Sequence, residues 1–296
     1  MDIALALGGG GARGNAHIGV LRALSREGFN IRAVAGTSFG GLVAVFFALG
    51  RSADEIELSF KQIDQSRLYG HTQGDGPSLL GLGGVTRWLD EQLGLLTFDD
   101  LKIPCAVTAV DLRTSREVIL SEGLLREALL ATIALPGIFP SRRIQDWDLV
   151  DGGTLDPVPV SVARTLMPKL PVVAVSLTAS IGEPERTMEI AFPGVPNRIA
   201  QRIARLRPAQ ALDIFLQAVE IGSRLMTDLR LEKEAPDVVI RPLVQHIKLL
   251  DVVDVAALAR IGEDAVTFAL PALQRMRGLP ARVKRTLAQW RALPAG

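Results

Sequence analysis

Three short groups of residues in this chain could act together on a carbonyl carbon. Ser38 stands within Gly36-Thr37-Ser38-Phe39-Gly40. A serine spaced this way between glycines belongs at the tip of a sharp strand-to-helix turn, with its hydroxyl presented as a nucleophile. Side chains at Gly36 and Gly40 would collide with the neighbouring strand and helix. The helix that follows aims N–H groups, and the positive end of its dipole, at whatever Ser38 attacks. The second group is Gly9-Gly10-Gly11-Ala12-Arg13-Gly14. Backbone N–H groups of such a loop can form an oxyanion hole, each donor worth about 3 kcal/mol in the transition state. The third group is Asp151-Gly152-Gly153, where an acid ends an apolar run and the glycines turn the chain away.

A serine nucleophile needs a base. The histidines are His17, His71 and His246. His17 lies one turn into a helix and reads as a packing or capping group. His71 falls in a glycine-rich loop. His246 would complete the order Ser38, Asp, His found in α/β-hydrolases. Those folds place several strands before the elbow, however, and here one strand precedes it. Asp151 is therefore the better base, with an ordinary Asp-Gly turn as the alternative. Arg13 has two readings, at the rim of the site or tying the loop to a neighbouring carboxylate. Gly9-x-Gly11-x-x-Gly14 also fits a dinucleotide fingerprint, because it follows a strand and opens a helix. That reading needs an acid ending the second strand, and Val34-Ala35-Gly36-Thr37-Ser38 contains none.

The scaffold must bring these groups to one place. Residues 2–7 read as a buried strand, 15–27 as a helix and 31–35 as a second strand. Residues 42–49 are apolar on every side, which marks a core helix. This strand-helix-strand-helix unit implies a parallel sheet with a right-handed crossover, and ligand sites form at the C-terminal ends of such strands. Helices follow at 53–67 and 85–93, with a glycine-rich segment at 69–84 expected to be a mobile loop near the site. Residues 104–110 and 117–120 read as paired strands and 124–133 as a helix. A strand at 147–150 leads into Asp151. A helix at 160–166 and a last core strand at 172–177 complete the unit. Beyond it, 197–205, 208–234, 253–277 and 281–293 read as helices and 238–240 as a strand.

The ordered motifs Gly9–Gly14, Gly36–Gly40 and Asp151–Gly153 resemble the three signatures of patatin-like phospholipases. The form is that of bacterial relatives of the neuropathy-target-esterase branch. The runs at 12–20 and 134–140 also resemble the family, and the likeness covers roughly residues 3–177. Thr132-Ile133 departs from it, since relatives often carry serines there. The resemblance implies an α/β, three-layer fold with a mainly parallel central sheet flanked by helices. Residues 3–178 would form the catalytic domain. Residues 179–296 would be a mostly helical C-terminal extension packed on it. It also implies a Ser38–Asp151 dyad, Gly9 to Gly14 as oxyanion loop, and no metal or cofactor. The implied substrates are fatty-acyl esters of phospholipids or lysophospholipids. A catalytically weak lipid-binding or regulatory protein on the same fold is the competing expectation.

Composition narrows the partners. The formal net charge is +1, which gives no strong field for nucleic acid. Cys105 is the single cysteine, cannot form an internal disulfide and reads as core, which suits a reducing compartment. The N-terminus lacks a basic segment before its apolar run, so no secretory leader is expected. Residues 33–50 are uncharged over the length of a membrane span but contain the elbow, and read as strand plus helix. The expected location is cytoplasmic, with peripheral contact to anionic membrane. That contact would use Arg198, Arg202, Arg205 and Arg207, and the cluster from Arg275 to Arg291 around Leu287 and Trp290.

Overall fold

The computed structural model describes residues 1–73, 76–180 and 207–278, with the backbone course alone for 207–213, 215 and 216. An eight-stranded, mainly parallel sheet forms its middle layer. Strand β1 (Asp2–Leu7) is buried from Ile3 onward. It runs parallel between β2 (Asn30–Thr37) and β7 (Val172–Val175). Helix α1 (Ala16–Arg26) makes the crossover from β1 to β2.

Strand alternation gives the sheet two unlike faces. Ile3, Leu5, Leu7, Val34, Val107, Val173 and Val175 fall on one side, and Ala4, Ala6, Ala33, Ala35, Ala106 and Ala174 on the other. Successive side chains point to opposite faces, so a strict period of two sorts large residues from small ones. The large face packs against α1 and α2 (Phe39–Ala48), which is buried at Gly40 to Phe46 and at Ala48. The alanine face lets α6 (Val160–Leu166) and Leu231 of α7 (Arg207–Glu234) approach closely.

Strand β3 (Cys105–Asp111) carries the arrangement that matters most for the site. Its first half pairs with β2, ending at Thr37 opposite Thr108. Its second half pairs antiparallel with β6 (Trp147–Asp151), with Asp151 opposite Ala109. Strand β4 (Arg116–Leu120) covers Val107 to Asp111 as well, which leaves β2 and β6 sharing the remaining edge of β3. The two strands therefore meet end to end, C-terminus against C-terminus. Strand β5 (Arg142–Ile144), unexpected from the sequence, forms a hairpin with β6.

Residues 172–177 are not the last strand of the core. Strand β8 (Val238–Ile240) pairs in parallel with β7, and the Ser176 N–H donates to the Ile240 carbonyl at 3.0 Å. The pairing satisfies an edge that would otherwise leave backbone groups unmatched. Helix α3 (Ala53–Lys61) is shorter than expected and is followed by a 3-10 turn at Gln65–Arg67 and then by α4 (Gly83–Leu93). The expected helices at 197–205 and 281–293, with most of the basic residues named above, lie outside the described residues. Within them, Arg277 packs over the Phe29 ring at 4.2 Å and donates to the Glu27 carbonyl at 2.5 Å.

Helix α8 (Val255–Met276) lies across α1 at a glycine contact. A Cβ on Gly19 would stand 1.7 Å from the Ala259 carbonyl oxygen, and one on Gly262 would stand 1.9 Å from that of Ala16. Both atoms are backbone, so the helices would have to separate. Gly262→Leu should destabilise the fold by roughly 1–3 kcal/mol, as overpacking does. A lowered urea midpoint with an unchanged m-value would show it.

Candidate active site

The end-to-end contact of β2 and β6 brings Ser38 and Asp151 together. Ser38 follows the last residue of β2 with φ 55° and ψ −127°. A positive φ outside glycine persists where the surroundings fix it. Here the Ser38 N–H donates to Thr132 Oγ1 at 2.8 Å, and the Ser38 carbonyl accepts from Gly41 N–H at 2.9 Å. A Cβ on Gly36 would lie 2.5 Å from the Gly40 carbonyl oxygen, and one on Gly40 would lie 2.3 Å from that of Leu7. Thr37 anchors the strand end beneath the turn. Its hydroxyl donates to the Asp156 carbonyl at 2.8 Å and accepts from Thr108 Oγ1 at 2.7 Å.

Asp151 is 4% exposed. Its N–H donates to the Ala134 carbonyl at 2.9 Å, and its Oδ1 accepts from Gly153 N–H at 2.7 Å. Gly152 must be glycine because a Cβ would stand 2.2 Å from Thr108 Oγ1. Burial pushes the Asp151 carboxyl up to about 6, while the Ser38 hydroxyl and the Gly153 N–H hold the shift back. At neutral pH the group is then ionised, yet more basic than an ordinary aspartate.

Thr132 is the residue that motif reading missed. It ends α5 (Leu125–Thr132), and the stretch from Thr132 to Ala134 holds both Ser38 and Asp151 by their backbone N–H groups. The sequence signal was one hydroxyl closing an otherwise apolar helix end. Thr132→Val keeps the shape and leaves the Ser38 N–H without its acceptor. Such a loss costs about 1–3 kcal/mol. We expect a lower melting temperature and about tenfold slower turnover from the misplaced elbow. Thr132→Ser should restore both.

The glycine loop lies against the elbow, with the Cβ position of Gly9 3.2 Å from Ser38 Cβ. Its N–H groups differ in availability. Gly9 donates to the Pro157 carbonyl at 2.9 Å and Ala12 to the Leu249 carbonyl at 2.8 Å. Among the described residues, Gly10, Gly11 and Phe39 have no backbone acceptor for theirs. Gly11 through Asn15 form a 3-10 turn. Gly14 leaves room for the Phe39 ring, which would lie 2.2 Å from a Cβ there. Arg13 is buried, ties the loop to a carboxylate and also borders a cavity that opens at Ser38. Its Nε donates to the Gly10 carbonyl at 3.2 Å, and it pairs with Glu220 of α7 at 2.9 Å.

Two cavities open at the Ser38–Asp151 pair. One, of about 130 Å³, is walled by Phe39, Phe60, Trp88, Tyr69 and Phe139. The other, of about 510 Å³, lies between the glycine loop and α7. None of the three histidines lines either one. His17 is buried, is pushed down to about 4 by that burial, and donates from Nε2 to the Gly8 carbonyl at 2.7 Å. His71 and His246 are exposed. Within the glycine-rich stretch, Tyr69 and Leu82 border the smaller cavity. Tyr69 stacks on Phe139 at 5.4 Å, and Leu80 N–H donates to the Ile138 carbonyl at 2.8 Å. Cys105 is buried in β3 with its thiol pushed well up by burial.

The profile of the patatin-like phospholipase family matches residues 5–164. An uncharacterized NTE family protein of Mycobacterium tuberculosis is 35% identical over 207 residues, covering 69% of this chain and 55% of that protein. Patatin-like phospholipase domain-containing protein 7 of Rattus norvegicus is 30% identical over 187 residues, covering 59% of this chain and 13% of that one. The chain thus spans about half the length of the mycobacterial relative and a smaller part of the rat protein. The crystal structure of VipD from Legionella pneumophila superposes with a TM-score of 0.49 at 13% identity, over 92% of this chain and 67% of that one. The motif order, the family profile and the NTE-family and rat relatives agree: the chain belongs to the patatin-like phospholipase family, in its NTE branch.

Proposed function

We propose that the protein is a serine hydrolase of lipid acyl esters, acting on phospholipids or lysophospholipids through a Ser38–Asp151 dyad. One observation carries the reading. A serine held at positive φ on a strand-to-helix turn has its hydroxyl against a buried, proton-affine carboxylate, at the junction of two cavities. Asp151 accepts the proton as Ser38 Oγ attacks the ester carbonyl. The developing oxyanion is stabilised by the N–H groups of Gly10, Gly11 and Phe39 and by the positive end of α2. Collapse expels the alcohol, which takes the proton from Asp151, and leaves an acyl group on Ser38. Water then attacks the acyl-serine, giving its proton to Asp151, and the fatty acid departs as Ser38 recovers its hydrogen.

Among the described residues, no helix is long and apolar enough to cross a membrane. Contact with a membrane surface through the basic residues at 198–207 and 275–291 belongs to the proposal as a peripheral one. A panel of p-nitrophenyl esters, lysophospholipids and diacyl phospholipids tests the activity. Release of fatty acid from at least one lipid ester supports it, and turnover of none of them would oppose it.

A further inference from the structure

We propose that Arg230 of α7 is a positioning residue for the Ser38–Asp151 pair, acting through the buried carboxylate of Asp156. This rests on the dyad reading of the site. The backbone of Asp156-Pro157 touches all three motifs. The Asp156 carbonyl accepts from the hydroxyl of Thr37, the residue before Ser38, at 2.8 Å. The Asp156 N–H donates to the carbonyl of Gly152, the residue after Asp151, at 2.8 Å. The Pro157 carbonyl accepts from the Gly9 N–H of the glycine loop at 2.9 Å. A shift of this dipeptide therefore moves nucleophile, base and oxyanion loop relative to one another.

The dipeptide is held by its one charged side chain. Asp156 is fully buried, and among the described residues its cation is Arg230, at 2.7 Å. The same guanidinium meets Glu117 of β4 at 3.0 Å and Glu234 of α7 at 3.3 Å. Glu234 in turn accepts from the Ser161 N–H at 2.7 Å. Three carboxylates thus converge on one cation, and Asp156 is the one without access to water. A buried carboxylate that loses its cation is strongly unfavourable, so it takes up a proton or the backbone around it moves. Removing both partners leaves no charge to bury, which proteins tolerate far better. Burial raises the Asp156 carboxyl, Arg230 opposes that rise, and Glu117 adds to it. Without Arg230 the remaining influences both point upward. Asp156 would then hold a proton at low pH and carry an unpaired charge at high pH.

The pH dependence separates positioning from a simple tie between elements. With a p-nitrophenyl ester, the ratio of kcat in Arg230→Leu to kcat in the wild type cancels the titration of Asp151. That ratio should lie near one at pH 6 and fall about tenfold by pH 9, with KM nearly in place. Asp156→Asn keeps the backbone groups and removes the charge. Added to Arg230→Leu, it should bring kcat at pH 9 to within about twofold of Asp156→Asn alone and flatten the ratio. Urea midpoints, measured on each variant, report the fold. A kcat ratio that does not change with pH, whether activity is kept or lost, would overturn the proposal. So would a double variant that is no more active than Arg230→Leu, or one that fails to fold, since no buried charge is then left unpaired. Fluorophosphonate labelling of the wild type tests the underlying reading separately. Hydrolysis without a label on Ser38 would defeat the dyad itself.

Discussion

Ser38→Ala should abolish ester hydrolysis, by at least about 10⁴-fold, in a protein that remains folded. In the proposed mechanism the hydroxyl makes the attack, and alanine keeps the volume of the turn nearly unchanged. The constraints on the elbow stay in place, since the bond to Thr132 uses the Ser38 backbone N–H. Backbone strain adds a second readout. A non-glycine residue at φ 55° is held at a cost of about 1–3 kcal/mol. Ser38→Gly should therefore melt at a higher temperature than Ser38→Ala while being equally inactive. Measurable hydrolysis by Ser38→Ala, above a mock-purified control, would remove the serine from the mechanism.

Asp151→Asn should lower kcat by at least about 10², the range of general-base catalysis. In the proposed mechanism the active form is the carboxylate, and burial pushes this group up to about 6. In the wild type, kcat/KM should be level above pH 7 and fall about tenfold per unit below 6, and the variant should lose this limb. Stability moves the other way. The folded value lies above the ordinary 3.8, so the stabilising contribution is full below 3.8 and is lost as pH rises through about 6. Keeping the carboxylate ionised in place thus costs on the order of 3 kcal/mol at pH 7. Asp151→Asn should melt higher than the wild type at pH 7 and show little difference at pH 4. His246→Ala serves as the control, being exposed and lining neither cavity. Damage from His246→Ala equal to that from Asp151→Asn would restore a Ser-Asp-His order.

The parts of the site that could be read from sequence were those in which local chain geometry restricts residue type. The glycines flanking Ser38 are of this kind, because their need for space arises within a few residues of the turn. The apolar runs at 3–7 and 33–36 are another, since burial on both faces of the sheet leaves no polar position within them. Long-range pairing left no such mark. Nothing near Asp151 states that β6 meets β2 end to end on one edge of β3, and that meeting makes an Asp-Gly turn a partner for Ser38. Thr132 was noticed only as a departure from serine, because its partner is a backbone N–H far away in sequence. The close crossing of Gly19 and Gly262 was hidden for a similar reason. Each glycine makes sense only with the facing helix in view. The segment at 69–84 names no packing partner in its own sequence, and the contacts of Tyr69 with Phe139 and of Leu80 with Ile138 come from a distant stretch. The wall that α7 gives to the second cavity comes from a stretch whose inward residues are too mixed for periodicity to single out.

The central claim is that Ser38 becomes covalently acylated during turnover. Peptide mass spectrometry after reaction with a fluorophosphonate tests it most directly, because the tryptic peptide spanning residues 33–51 contains one serine, Ser38. The account predicts a single phosphonyl adduct on that residue. The adduct should form far more slowly in Asp151→Asn and be absent in Ser38→Ala. An enzyme that hydrolyses its ester substrates while this peptide stays unmodified, or that carries the adduct on another residue, would contradict it.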